Sequence, residues 1–333
     1  MITIAAVLAV VGVFLGFRHA AQTDTIPSNE FSAYVGLANP SGVGEVSTSL
    51  GHQITFALDG LGQQDWNGIT DHSYVINRWK NSGYRMIWCV PMIPKSGGAS
   101  LAEGATGAYN DHYRTLAQHL VAAGMGDSYL RLGWEFNQST FAWYAAGHPT
   151  DFVAYWRQIV TTMRAVPGAN FVFVWNPSRG DNGQKDKAMG NYADYYPGDS
   201  YVDIIGMDVY DTAWNRYPGE AAEFQTILTQ TWGLDWLARI GAEHKKPLAI
   251  PELGLGAFGP SAGNGRPFTG SGNIGGGDDP AFINDMFNWI AQHNVAFVTY
   301  WDSQESTIQN GSNPQTTLAL RQALSTFGAK SRG

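Results

Sequence analysis

After Thr25 the chain is written as eight short apolar runs separated by longer stretches, and this alternation limits the fold more than any other feature. The runs are 33–38 (AYVGLA), 53–60 (QITFALDG), 84–92 (YRMIWCVPM), 128–136 (SYLRLGWEF), 170–178 (NFVFVWNPS), 202–210 (VDIIGMDVY), 247–254 (PLAIPELG) and 295–303 (VAFVTYWDS). Between them, helical segments are predicted at 111–124, 151–165, 220–243 and 280–293. In the second of these, Phe152, Tyr155, Trp156, Ile159 and Met163 recur at helix spacing, with Thr150 and Asp151 where caps belong. Strands apolar on both faces and separated by helices imply a parallel sheet. Eight of them in a chain of 333 residues fit one closed (β/α)8 barrel spanning 25–333. An open doubly wound sheet is the alternative, but it wants a Gly-rich phosphate loop after its first strand. The stretch YVGLANPSGVGEVS at 34–47 is a poor one.

What precedes and follows the runs adds function classes and removes others. Residues 1–24 begin with an apolar stretch from Ile2 to Phe17, too short for a membrane span of about 20 residues. They are read as an export signal or an uncleaved N-terminal membrane anchor, which sets the barrel outside the cytoplasm. The net charge of −8 and pI near 5.4 argue against nucleic acid and against an anionic membrane surface. Cys89 is the single cysteine and lies inside an apolar run, so no intrachain disulfide or thiolate cluster is available. The eight histidines are scattered, and neither a catalytic metal nor a cofactor is expected. A monomer is expected. The Gly-rich run 254–277 follows the seventh strand and is either a loop over a site or a surface loop without function.

In a barrel of this kind, residues at the C-terminal ends of strands face the active site. Those ends carry Glu135 on strand four, Trp175 and Asn176 on strand five, Asp208 and Tyr210 on strand six, Glu252 on strand seven, and Trp301 and Asp302 on strand eight. Two glutamates on strands four and seven reach opposite sides of one opening, as glycosidic bond cleavage requires: one carboxylic acid protonates the departing oxygen and the other attacks or stabilises the anomeric carbon. Strand alternation puts Arg131, Gly133 and Glu135 on one face, and Leu248, Ile250 and Glu252 on another. Arg131 then lies beneath Glu135, where a buried cation holds a carboxylate ionised, and the Tyr210 phenol is placed to donate to Glu252. Asp208 either touches the site or only fixes loops. Trp143 and Tyr144 either line a sugar subsite or cover the rim, and Trp301 is the expected platform under the reacting sugar. The 12 Trp and 15 Tyr suit a carbohydrate cleft, although most of them must fill the core.

The stretches RLGWEFNQSTFAWYAAG, IIGMDVYD and IPELG resemble the motifs of glycoside hydrolase family 26, relatives of the β-mannanases and β-1,3-xylanases within the clan of retaining (β/α)8 enzymes. The resemblance runs over most of the chain after Phe31. It implies Glu135 as acid/base, Glu252 as nucleophile, Tyr210 bonded to the nucleophile, and Arg131, Asn137, Trp143 and Trp301 shaping the cleft. It also implies retention through a covalent intermediate, with carboxyl groups about 5–5.5 Å apart. A β-linked polysaccharide would be the substrate, mannan first, with β-glucan, β-1,3-xylan or a cell-wall furanoside as alternatives. A transglycosylase and a non-catalytic glycan-binding barrel are the other readings. One position departs from the pattern. Trp134 stands where the family usually has His and much of the clan Asn, and an indole donates one hydrogen bond and accepts none.

Overall fold

The apolar runs close into a barrel in the computed structural model, which describes residues 26, 28–71, 73–180, 189–211, 220–255, 277–303 and 306–327. Strands β1 (Glu30–Tyr34), β2 (Phe56–Gly60), β3 (Arg85–Val90), β4 (Tyr129–Leu132) and β5 (Val172–Trp175) are neighbours in chain order. β6 (Ile204–Gly206) and β7 (Val209–Asp211) are two halves of a sixth barrel strand, interrupted at Met207 and Asp208. β8 (Leu248–Leu255) pairs with both halves, and β9 (Val295–Trp301) joins β8 to β1 and completes the ring. Every pairing is parallel, so the fold is the (β/α)8 barrel that the alternation implies.

The helices around it are α1 (Pro40–Leu50), α2 (Trp66–Thr70), α3 (Ser73–Trp79), α4 (Leu101–Ala105), α5 (Asn110–Ala122), α6 (Pro149–Arg164), α7 (Glu220–Thr229), α8 (Leu234–His244), α9 (Pro280–Ala291) and α10 (Pro314–Leu324). α6 shows why they form. Pro149 occupies its first turn, Asp151 complements the N-terminal dipole, and Phe152, Tyr155, Trp156, Ile159 and Met163 make a fully buried stripe. The stretch weighed as a phosphate loop is instead α1, capped by the Asn39 side chain accepting from the Gly42 N–H and ended by Gly51 at φ +64°. The single helix predicted over 220–243 divides into α7 and α8. Trp232 there takes φ +56°, and a Cβ on Gly233 would stand 2.5 Å from the Ile227 carbonyl oxygen.

Inside the barrel, Phe56, Tyr129 and Phe297 meet near the N-terminal end, with ring centroids 5.4 and 5.6 Å apart. The Arg85 guanidinium covers Tyr129 from below at 4.7 Å. One layer up, the Ser32 and Thr299 hydroxyls share a hydrogen bond of 2.9 Å. Two residues further along the same pleats come Arg131 beyond Tyr129, Tyr34 beyond Ser32 and Trp301 beyond Thr299. The interior therefore turns from apolar to polar toward the C-terminal ends of the strands. No helix among the described residues is long and apolar enough to cross a membrane. The segment 1–24, and residues 256–276 of the Gly-rich run, lie outside the described residues.

Candidate active site

Arg131 is the centre of the polar end of the barrel. Its side chain is fully buried on β4, and all three guanidinium nitrogens donate. Nη1 reaches Glu252 Oε1 at 2.8 Å and Cys89 Sγ at 3.1 Å, Nη2 reaches Asp208 Oδ2 at 2.6 Å, and Nε reaches Asn176 Oδ1 at 2.7 Å. One buried cation thus serves two carboxylates, an arrangement that a guanidinium fork can hold and an ammonium cannot. The second oxygen of Glu252 accepts from the Tyr210 hydroxyl at 2.6 Å. Glu252, only 6% exposed, is in this way oriented from both sides.

Simple alternation is not what aims Glu252 or Glu135. The register of β8 on β9 runs Ile250 to Val298 and then Leu253 to Tyr300, so Pro251 and Glu252 both stand opposite Thr299. This bulge breaks the expected Leu248, Ile250, Glu252 face and re-aims the glutamate. On the other side, β4 stops at Leu132 and not at Phe136, so Gly133 and Glu135 do not continue the Arg131 face. The chain enters a turn in which Gly133 has φ +54° and Glu135 φ +48°. Gly133 is required twice over, since a Cβ there would sit 2.5 Å from Met92 Sδ. The Glu135 backbone is pinned by its N–H donating to the Asn176 carbonyl at 2.7 Å. A non-glycine residue in the left-handed region is a strained one, and such strain gathers at functional sites.

Electrostatics separate the two glutamates. Glu135 is half-buried, and burial followed by the charge of Glu252 pushes its pKa up to about 7, against the pull of a hydrogen bond from Ser178 and of Arg131. Burial also raises Asp208, with Arg131 pulling it back and Glu252 and Glu135 adding to the rise. Three carboxyl groups face one guanidinium, so the rise outweighs the pull of Arg131. Tyr210 is raised well above its ordinary value by burial and by Glu252, which keeps its phenol a donor. The arrangement contains one half-buried acid and one fixed carboxylate at a common opening.

Of the other residues named from sequence, Asn176, Asp208 and Tyr210 join this cluster. Trp301 lies at its edge, its ring stacked on Tyr34 at 3.9 Å and 21°. Five residues sit elsewhere. Trp175 points into the helix layer, because the pleat turns Val174 and Asn176 inward. Its indole N–H donates to the Tyr195 carbonyl at 3.1 Å, and its ring lies against Phe136. Asn137 is a buried bracket between rims: Oδ1 accepts from the Ser178 N–H, and Nδ2 donates to the Ser178 carbonyl and the Tyr192 hydroxyl. Trp143 is fully buried, with its N–H on the Trp134 carbonyl at 2.8 Å, and therefore lines no subsite. Trp134 packs against Phe141 and Trp143. Together these rings support the turn that carries Glu135. Asp302 is a loop anchor, accepting from the Ile308 N–H at 2.6 Å.

Two residues of the cluster escape the sequence reading. Tyr34 was placed near the start of a strand over 33–38, whereas β1 ends at it. Burial, then Asp59, Cys89 and Glu252, push its phenol up to about 12. Ser178 closes the fifth run but carries no pattern of its own. Among the described residues no group of three or more His, Cys, Asp or Glu is placed to hold a metal ion.

Comparison with known proteins finds similar sequences and folds. The family model "Glycosyl hydrolase family 26" matches residues 126–246, which include Arg131, Glu135, Asn176, Asp208 and Tyr210 and stop six residues before Glu252. Endoglucanase H of Acetivibrio thermocellus is 26% identical over 232 residues, 64% of this chain; the match spans only 22% of that relative's length. The catalytic domain of the endo-β-1,4-mannanase of Bacillus sp. JAMB-750 superposes with a TM-score of 0.61 at 17% identity, covering 93% of this chain and 90% of that one. GH26C of a Muricauda species gives 0.60 at 14% identity, covering 88% and 85%. At such identities the solved structures speak to the fold alone. Over residues 126–246, then, the chain is similar to glycosyl hydrolase family 26.

Proposed function

We propose that this chain hydrolyses a β-linked polysaccharide by double displacement, with Glu135 as acid/base and Glu252 as nucleophile. The observation that carries the reading is the unequal treatment of the two carboxyls: Arg131 and Tyr210 hold Glu252, while burial and Glu252 keep a proton on Glu135. In the first step a Glu252 oxygen bonds to the anomeric carbon, the glycosidic C–O bond breaks, and Glu135 gives its proton to the departing oxygen. Glu252 is then a neutral ester, and the second cause of the raised Glu135 pKa is gone. Its pKa falls, so Glu135, having given up its proton, stays ionised as the carboxylate base that the second step needs. It takes a proton from water as the water oxygen displaces Glu252, and the β configuration is restored.

Trp301, stacked on Tyr34, is the platform for the reacting sugar in this scheme. Trp134 cannot accept from a 2-hydroxyl, so that contact falls to other groups. A mannan is the first substrate to try, because the relatives include enzymes named endo-β-1,4-mannanase; the endoglucanase relative makes β-glucan the second. The segment 1–24 supports action outside the cytoplasm, as exported or anchored protein. The test is a panel of mannan, β-glucans, xylans, galactan and arabinan, read by new reducing ends, product masses and the anomer first seen by NMR. The expected result is release from a β-mannan or β-glucan with the β anomer formed first. Release of the α anomer first, or of nothing from the whole panel, sinks the proposal. Products longer than the substrate would make the chain a transglycosylase.

A further inference from the structure

We propose that a cleft on the flank of the barrel rim, between α7 and α8, is a second glycan-binding site that shares no residue with the carboxylate cluster; its ligand class rests on the reading above. The cleft has a volume of about 450 Å³ and is lined by Asn191, Gln230, Trp232, Asp235, Trp236 and Arg239, among others. That volume is within the usual range for a small-molecule site, roughly 300–1,000 Å³. Trp232 is its platform. The indole is half-buried and lies parallel to Tyr192 at 4.0 Å and 5°, and Tyr192 is itself buried beneath it. One face is thus occupied, which leaves the opposite face for the cleft.

Three further observations point to a ligand. Trp232 holds φ +56°, a conformation disfavoured for a bulky residue, with its carbonyl fixed by the Gly180 N–H at 3.1 Å. The next residue, Gly233, cannot take over this conformation, because its own φ is −86° and a Cβ there would meet the Ile227 carbonyl oxygen. The buried Gln230 Nε2 has no hydrogen-bond partner among the described residues, and a desolvated amide donor requires an acceptor. Asp235 and Arg239 are exposed and four residues apart, so they share one face of α8 and offer an acceptor and a planar donor. Ring, amide, carboxylate and guanidinium around one hollow suit a sugar, whose C–H face meets the indole while its hydroxyls meet the polar groups. Gly180, which donates to the Trp232 carbonyl and accepts from the Tyr192 hydroxyl, is two residues along the chain from Ser178 and so ties the two regions together. A long glycan held there would be tethered beside the catalytic opening.

The experiment uses the full chain carrying Glu252→Gln, which removes turnover, with soluble β-mannan and β-glucan as probes in affinity electrophoresis and calorimetry. Two cleft variants are added to it: Asp235→Ala with Arg239→Ala, which changes only exposed side chains, and Trp232→Gly, which removes the ring yet suits the backbone. The apparent Kd for polymer is expected to rise about fivefold or more, the scale of one lost ring contact. With Glu252 restored, KM on polymer should rise alike while kcat holds, and kcat/KM on a short aryl glycoside, which cannot reach the cleft, should stay within about twofold. Unchanged affinity in both variants, or no binding of either polymer by the parent, overturns the site. Loss of binding in the variants together with hydrolysis that does not need Glu252 overturns the catalytic assignment and leaves the site standing.

Discussion

The ends of β4 and β8 present the same residue type to one opening by opposite means. At β8 the strand continues past the glutamate to Leu255, and a single extra residue in the ladder turns Glu252 toward Arg131. At β4 the strand stops three residues before the glutamate, and a turn with two left-handed residues delivers Glu135. Glu252 is fixed by two strong donors, Glu135 by Ser178 and a ring-lined wall. The difference shows how two glutamates at one opening come to differ: a rigid seat of two donors holds one, while a half-buried turn with no cation of its own raises the pKa of the other.

The sharpest way to break this comparison is to neutralise each carboxyl in turn. Glu252→Gln should lower kcat by about 10⁴-fold or more on every substrate, because no covalent step survives. Glu135→Gln should cost about 10²- to 10⁴-fold on polysaccharide, whose departing oxygen needs a proton. On a dinitrophenyl glycoside, whose leaving group needs none, its first step should be spared, so a glycosyl adduct on Glu252 accumulates and is seen by mass spectrometry. Equal losses with both leaving groups would mean that the two ends do not differ in role.

Stability variants come next in size. Arg131→Met strands Asp208 and Glu252 in a buried pocket and should cost about 3–5 kcal/mol in urea unfolding at neutral pH. The deficit should shrink in acid, where Asp208, raised by burial, takes up a proton. If Arg131→Met unfolds at the parent's urea midpoint, the guanidinium is not what compensates the pair. Gly133→Ala meets both the positive φ and Met92, and should cost about 1–3 kcal/mol by the same measurement, with kcat falling as the turn shifts. An unchanged kcat would show that Glu135 does not depend on that turn.

How far the sequence reveals this depends on which physical signal each residue leaves. Eight strands buried on both faces leave long apolar runs, so the barrel and the strand that bears each glutamate are legible. Arg131 is legible too, as a charge in an otherwise apolar run. Left-handed φ values at Gly133 and Glu135, and an inserted residue at Glu252, leave no periodic trace, so alternation reaches these residues by a route that the backbone does not follow. Strand ends blur for the same cause. A first run that starts three residues late and ends four late hides Tyr34, and counting from the end of the fifth run admits Trp175, which the pleat turns outward. Trp143 and Asn137 look like cleft residues because large rings and amides do both jobs; only burial and partners tell a wall from a lining.

The smallest expected effect separates an acid with a role from an acid that is merely buried. Glu223 on α7 lies beside Asp211 of β7, away from the opening, and burial followed by Asp211 pushes it up to about 10. Glu135 is raised to about 7. A carboxyl raised on folding contributes stability that is complete below its unfolded value, near 4.5, and lost as pH rises through its folded value. Thermal melts should therefore show Glu135→Gln flattening the decline between about pH 4.5 and 7, and Glu223→Gln flattening a decline that runs on toward about pH 10. Only the first should touch catalysis: kcat/KM on polysaccharide falls as pH rises through about 7 in the parent, where the proton on Glu135 is lost. That limb should be absent in what activity Glu135→Gln retains on an activated glycoside, and intact in Glu223→Gln. A limb near pH 7 that survives Glu135→Gln would move the acid to another residue and undo the contrast between the two strand ends.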